Sequence, residues 1–188
     1  MATLLATIGG IFYFYIYIYL FNDMLLKSGN HRLSIYTINF ICLVASCYLV
    51  KYFAKVSDQK GRTTVFVISF TGFLTLSTPL PHLLNSDALG LKLLAYAGLI
   101  TLFSAFTANA AAVYGEVFPT NIRYSGLATS YNAGIALSSF TPAIASWIQK
   151  HHHSTTWNTA MVLTASMLGL VLTKPIQKKI HLTKQRSE

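Results

Sequence analysis

The chain has 188 residues, 53% of them hydrophobic and only 10% charged, against about 25% charged in an ordinary soluble domain. Its formal net charge is +9, with acidic residues limited to Asp23, Asp58, Asp87, Glu116 and Glu188. A soluble helical protein would carry charge on the outer face of every helix, so this composition excludes that class and points to an all-α membrane protein.

The charges are also clustered. Six stretches carry no charged side chain, 1–22, 33–50, 63–86, 93–115, 124–149 and 151–173, and a helix needs about 20 mostly apolar residues to cross about 30 Å of hydrocarbon. The expectation is one bundle over 1–188 with six transmembrane helices near 3–21, 33–53, 63–80, 91–114, 124–148 and 156–173, then a basic cytoplasmic tail over 174–188. The first apolar run has no basic region before it, so it does not read as a typical secretory signal.

In chain order, the first segment holds Ile11-Phe12-Tyr13-Phe14-Tyr15-Ile16-Tyr17-Ile18-Tyr19, whose alternating tyrosines have strand propensity. Its length and its helical neighbours favour a helix, which puts Tyr13 and Tyr17 on one face and Tyr15 and Tyr19 on another. The loop Lys27–Arg32 follows. The second segment carries Cys42 and Cys47, which point to different sides of a helix and read as packing residues. A basic loop over 54–62 leads to the third segment, which Pro79-Leu80-Pro81 should stop. The fourth becomes rich in Ala, Ser and Gly. The fifth repeats small residues at Gly126, Ser130, Gly134 and Ser138, a ladder that lets helix backbones approach closely in lipid; Pro142 is a candidate kink.

Six spans place both termini on one face with the loops after the second and fourth spans. That face collects Lys51, Lys55, Lys60, Arg62, Arg123, Lys174, Lys178, Lys179, Lys184 and Arg186, and the other only Lys27, Arg32, Lys92 and Lys150. The positive-inside rule makes the first face cytoplasmic. The basic residues are thus membrane anchors. The expected partner is a lipid bilayer, in an inner or plasma membrane, and nucleic acid is not expected.

Two motifs fall on that face. One is Ala54-x-x-x-Asp58-Gln59-x-Gly61-Arg62; the other is Glu116-Val117-Phe118-Pro119-Thr120-x-x-Arg123-Tyr124-Ser125-Gly126, followed by Ser130-Tyr131-Asn132. The first resembles the loop signature of the major facilitator superfamily, with Ala54 in place of the leading Gly, Gln59 at the first basic position and Thr63 at the last. The second is similar to the loop after the tenth span of that superfamily, most of all in its metabolite:proton symporter branch, which includes proline/betaine transporters. The resemblance covers nearly the whole chain, as spans seven to twelve of twelve. It implies the C-terminal half of a secondary carrier, with protons and a small solute (an osmolyte or a small organic acid) as ligands and a gating role for Asp58, Gly61, Arg62, Glu116, Pro119, Arg123 and Gly126. The bland reading of the same charges is a set of interfacial ion pairs worth about 0–1 kcal/mol each.

No ionisable residue lies well inside a span, so a buried acid for proton coupling would have to be Asp23 or come from the other half. Candidate substrate contacts are Tyr13, Tyr17, Asn39, Asn109, Tyr131 and Asn132, although interhelical hydrogen bonding competes for each. A tyrosine face suits a quaternary ammonium by cation–π attraction. Consecutive His151-His152-His153 cannot converge on one metal, and no hydrolase or phosphate-binding motif is present. The expectation is a protein that is not an enzyme and holds neither metal nor cofactor. Three readings follow: a carrier completed by an N-terminal six-span half or a second copy, a truncated or split-gene fragment without its own transport, and a non-transporting membrane interaction module.

Overall fold

The structure, a computed structural model, describes residues 1–27, 32–86, 88–152 and 155–185. Among these it is helical throughout apart from short joints. Helix α1 (Ala2–Tyr13) runs into a π-helical stretch (Phe14–Leu20) and then α2 (Phe21–Lys27), so the tyrosine-rich segment is part of one continuous helical run, long and apolar enough over Ala2–Leu26 to cross a membrane (the first crossing). Then follow α3 (Arg32–Lys60), α4 (Arg62–Ser77), α5 (Leu80–Asn85), α6 (Leu89–Val117), a 3-10 turn (Thr120–Ile122), α7 (Arg123–Ser138), α8 (Thr141–His152) and α9 (Thr155–Gln185).

Among the described residues, four helical stretches are long and apolar enough to cross a membrane, Ala2–Leu26, Leu33–Lys60, Gly90–Val117 and Thr159–Lys178. The other two expected spans are interrupted. The third is the 16-residue α4, ended at the proline pair, after which Pro81 starts the short α5 from the first turn, where its missing N–H costs nothing. The fifth is split at Ser139–Phe140 into α7 and α8, with Pro142 in the first turn of α8. Its many Ser, Thr, Ala and Gly residues also lower its hydropathy.

Two boundaries differ from the sequence expectation. The segment 54–60 is not a loop: α3 continues through it to Lys60, since Ala, Lys and Gln favour helix and neither Gly nor Pro intervenes. Past the expected end of the sixth span at 173, α9 continues to Gln185 with Pro175 inside it. The loop at 28–31, His153 and Arg186–Glu188 lie outside the described residues. Cys42 is half-buried and Cys47 exposed, both as free thiols, so Cys47 is not a packing residue within this chain.

The core is built on α1, which packs against α6, α7 and α9, while α4 fills the space between α6 and α9. Phe12, Phe66, Phe70 and Phe73 are fully buried. Phe12 stacks on Phe73 at 4.0 Å between centroids and meets Phe106 edge-on at 5.8 Å, geometries that the ring quadrupoles favour. Between α1 and α7 the contact is backbone to backbone. A Cβ on Gly134 would sit 2.8 Å from the Thr3 carbonyl oxygen and collide with Ala6. Of the small-residue ladder, Gly134 and Ser138 are the buried rungs facing α1, whereas Gly126 lies under the Phe118 ring.

Candidate functional site

The first motif forms a joint of one residue. Gly61 separates α3 from α4 with φ of +92°, a conformation a side chain would strain, and its N–H closes the last turn of α3 on the Ser57 carbonyl at 3.0 Å. The sharp reversal puts Arg62 at the start of α4 and over the end of α3. Its Nη1 donates to Asp58 Oδ1 at 2.6 Å and to Ser57 Oγ at 3.3 Å, and its Nε donates to Glu116 Oε1 at 3.3 Å. One guanidinium therefore ties together α3, α4 and α6.

The electrostatics explain why the pair forms. A cation at a helix N-terminus and an anion at a helix C-terminus both oppose the helix dipole. Arg62 and Glu116 occupy those unfavourable ends of α4 and α6, and each offsets the other. Side-chain exposure is 27% for Arg62, 30% for Glu116 and 63% for Asp58. At such exposure each pair contributes about 0–1 kcal/mol, so the cluster specifies geometry more than it adds stability. The second motif supplies Glu116 and then turns away. Pro119 is extended, the Ile122 N–H bonds the Pro119 carbonyl at 3.2 Å, and Arg123 Nε donates to the Phe118 carbonyl at 3.5 Å. Arg123 thus closes the hairpin on itself, and Glu116 spends its charge on Arg62.

Separate from this joint, an open cavity of about 480 Å³ lies between α1, α6 and α7. Its wall is aromatic and apolar, with Tyr13, Phe14, Phe103, Tyr114 and Tyr131 around a single threonine hydroxyl, Thr107. Tyr13 and Tyr131 are 45% and 44% exposed, and Tyr131 meets Tyr114 edge-on at 6.0 Å. Of the candidate substrate contacts, the structure brings Tyr13 and Tyr131 together here. Tyr17 lies behind the wall, packed on Phe103 at 5.7 Å. Asn39 accepts from the Tyr96 hydroxyl at 2.7 Å, and Asn132 is exposed outside the cavity.

Asn109 differs most from its expected place. It is fully buried and faces the charged joint, away from the cavity: its Oδ1 accepts from the Ser57 hydroxyl, and its Nδ2 donates to the Arg62 carbonyl. At the other end of the bundle, the Tyr19 hydroxyl donates to Gln149 Oε1, and Gln149 Nε2 donates to Asp23 Oδ1 at 3.5 Å. This places Asp23 between the first crossing and α8. Among the described residues, no group of His, Cys, Asp and Glu could hold a metal ion.

No protein-family model matches the chain. Curated relatives do. The chain is 28% identical over 129 residues to the glycine betaine/proline/ectoine/pipecolic acid transporter OusA of Dickeya dadantii, covering 69% of this chain and 26% of the relative. It is 24% identical, over the same coverage, to the proline/betaine transporter of Escherichia coli K12. It is 27% identical to the ectoine/proline transporter ProP of Corynebacterium glutamicum over 121 residues, 64% of this chain and 24% of that one. These relatives are transporters of small solutes. The chain spans about a quarter of their length.

The two motifs had put Asp58, Arg62, Glu116 and Arg123 on one face without assigning partners among them, and neither Ser57 nor Asn109 was expected in the cluster. Asn109 lies seven residues before Glu116, two helical turns and hence the same face. That spacing was the available signal.

Proposed function

We propose that this chain forms one six-span wall of a major-facilitator-type secondary carrier for a small zwitterionic solute of the proline or betaine class. The observation that carries the reading is the open aromatic cavity between α1, α6 and α7 in a chain whose relatives are transporters. A quaternary or secondary ammonium over a tyrosine face gains about 0.5–2 kcal/mol by cation–π attraction, and Tyr13 and Tyr131 present such faces. The spans would be the four long helices together with α4 and the α7–α8 pair, and the membrane would be an inner or plasma membrane with both termini cytoplasmic.

In carriers of this kind two bundles rock about a site at their interface. The second wall would come from an N-terminal six-span half or a second copy, and the driving ion would be the proton. The Arg62 joint would then serve as a cytoplasmic-side clasp, closed in this conformation and opened when α4 and α6 separate. Pro119 and Gly126 set the hairpin that delivers Glu116, and Arg123 pins it.

Uptake of labelled betaine and proline into proteoliposomes tests this, with the chain alone and with a six-span partner. Uptake that needs both walls, collapses with the proton gradient and is lost in Tyr131→Ala is the expected result. No uptake in any combination, with the chain correctly inserted, would refute the carrier reading and leave a transporter remnant.

A further inference from the structure

We infer that Asn109 is a positioning residue: it fixes where Arg62 starts α4 and thereby aims the guanidinium at Glu116. The proposal rests on the carrier reading only for its consequence in transport; the positioning itself stands on geometry.

The joint cannot do this unaided. A Cβ on Gly61 would meet nothing within 4 Å, so no side-chain packing at the glycine itself sets the direction in which Arg62 leaves the joint. Holding the long Arg62 side chain in one geometry costs rotamer entropy that a part-exposed ion pair does little more than offset. Left to itself, Arg62 would spread over many rotamers.

Asn109 fixes the backbone from which that side chain departs. It is fully buried, and both ends of its amide are used, one on the Ser57 hydroxyl of α3 and one on the Arg62 backbone carbonyl at the start of α4. Hydrogen bonds shielded from water are electrostatically stronger than exposed ones. Ser57 in turn accepts from Arg62 Nη1 at 3.3 Å. Helix α6 therefore grips Arg62 at two points: Asn109 holds its backbone, and Glu116, two turns further along the same face, holds its guanidinium at 3.3 Å. The backbone grip sets the register in which the charge grip is made. Helices α3, α4 and α6 then behave at this end as one block, and a carrier would have to move or break that block as a unit.

The test uses the full chain in detergent or nanodiscs and reads the unfolding midpoint at low and high salt. From about 0.1 M to about 1 M salt the Debye length falls from about 10 Å to about 3 Å, so a part-exposed ion pair is weakened. The wild-type midpoint should fall with salt, after correction with Arg62→Gln, and Glu116→Gln should lose the share of that response that belongs to the Arg62–Glu116 pair, keeping only the Arg62–Asp58 share. Asn109→Ala should lose the same share, although it removes no charge, and adding Glu116→Gln to it should cost no further salt-dependent stability. Ser57→Ala, a milder change that keeps the Arg62 carbonyl bond, should reduce the response and covers the case in which Asn109→Ala does not fold. If Asn109→Ala retains the wild-type salt response, or folds too poorly to measure while Ser57→Ala retains it, Asn109 only fills the core and the proposal is overturned. A wild-type midpoint indifferent to salt overturns it as well. Absence of solute uptake with the salt pattern intact would count against the carrier reading alone.

Discussion

The first crossing and α3 are almost equally hydropathic, with mean values of 1.8 and 1.9 over their most apolar windows, yet 56% of the first window is buried within the chain and only 6% of the second. Hydropathy in a membrane protein measures compatibility with hydrocarbon, and a core side chain and a lipid-facing one satisfy it equally. What separates the two helices is residue size and spacing. The first crossing has Gly9 and Gly10 against neighbouring side chains and a rank of aromatic groups at helical spacing. Helix α3 presents Phe40, Ile41, Tyr48 and Tyr52 outward, each more than half exposed.

The comparison is sharpest where removal of the same side chain should have opposite outcomes. Phe12→Ala empties the centre of the aromatic stack and should cost about 3–5 kcal/mol, read as a large fall in the unfolding midpoint in detergent. Phe40→Ala, at 67% exposure, should stay within about 0.5 kcal/mol of wild type. Similar losses at both positions would break the distinction between buried core and exposed face.

Next in size, Gly134→Val places a branched side chain against the Ala6–Thr3 backbone and should destabilise by about 3 kcal/mol, since overpacking against backbone cannot relax by a rotamer change. The paired change Ser130→Val, on a half-buried rung of the same ladder, should cost much less. Equal losses would mean that α7 packs through a different face.

Smaller still is Arg62→Gln at the helix joint. It removes two part-exposed ion pairs, so the expected loss is about 0–2 kcal/mol, shrinking as salt is added. Unfolding midpoints at two salt concentrations check it. The smallest stability effect belongs to Tyr131→Phe and Tyr13→Phe on the exposed cavity wall, within about 0.5 kcal/mol of wild type. In the carrier reading both keep the aromatic face, so betaine affinity in reconstituted uptake should change less than in Tyr131→Ala. An equal loss in the Phe and Ala variants would move recognition from the ring to the hydroxyl.

Much of the fold was legible because charge and proline are punctuation that lipid enforces. The charge-free stretches located the long helices, the Pro79–Pro81 pair marked the end of α4, and Pro142 lies beside the break between α7 and α8. The end of α3 was less legible: charged residues at 54–60 looked like a loop, but Lys, Ala and Gln are as content in a helix as outside one. The candidate site was legible in part. The charge count put Asp58, Arg62, Glu116 and Arg123 on one face, but which of them pair was left open. The direction of Asn109 was not legible. A polar residue in an apolar helix must find a partner, but the partner is chosen by which face of α6 turns toward α4.

By itself, then, the amino-acid order determined that this protein is helical and membrane-compatible, and where proline ends or interrupts its helices. Tertiary structure alone decided that the first crossing is core and α3 is not, that Glu116 pairs with Arg62 while Arg123 caps its own hairpin, and that Asn109 serves the joint and not the cavity. The physical reason is one of range. Hydropathy, proline and charge act through the local backbone and the solvent around it, whereas a choice among equally apolar faces or equally polar partners is made only when helices distant in sequence come into contact.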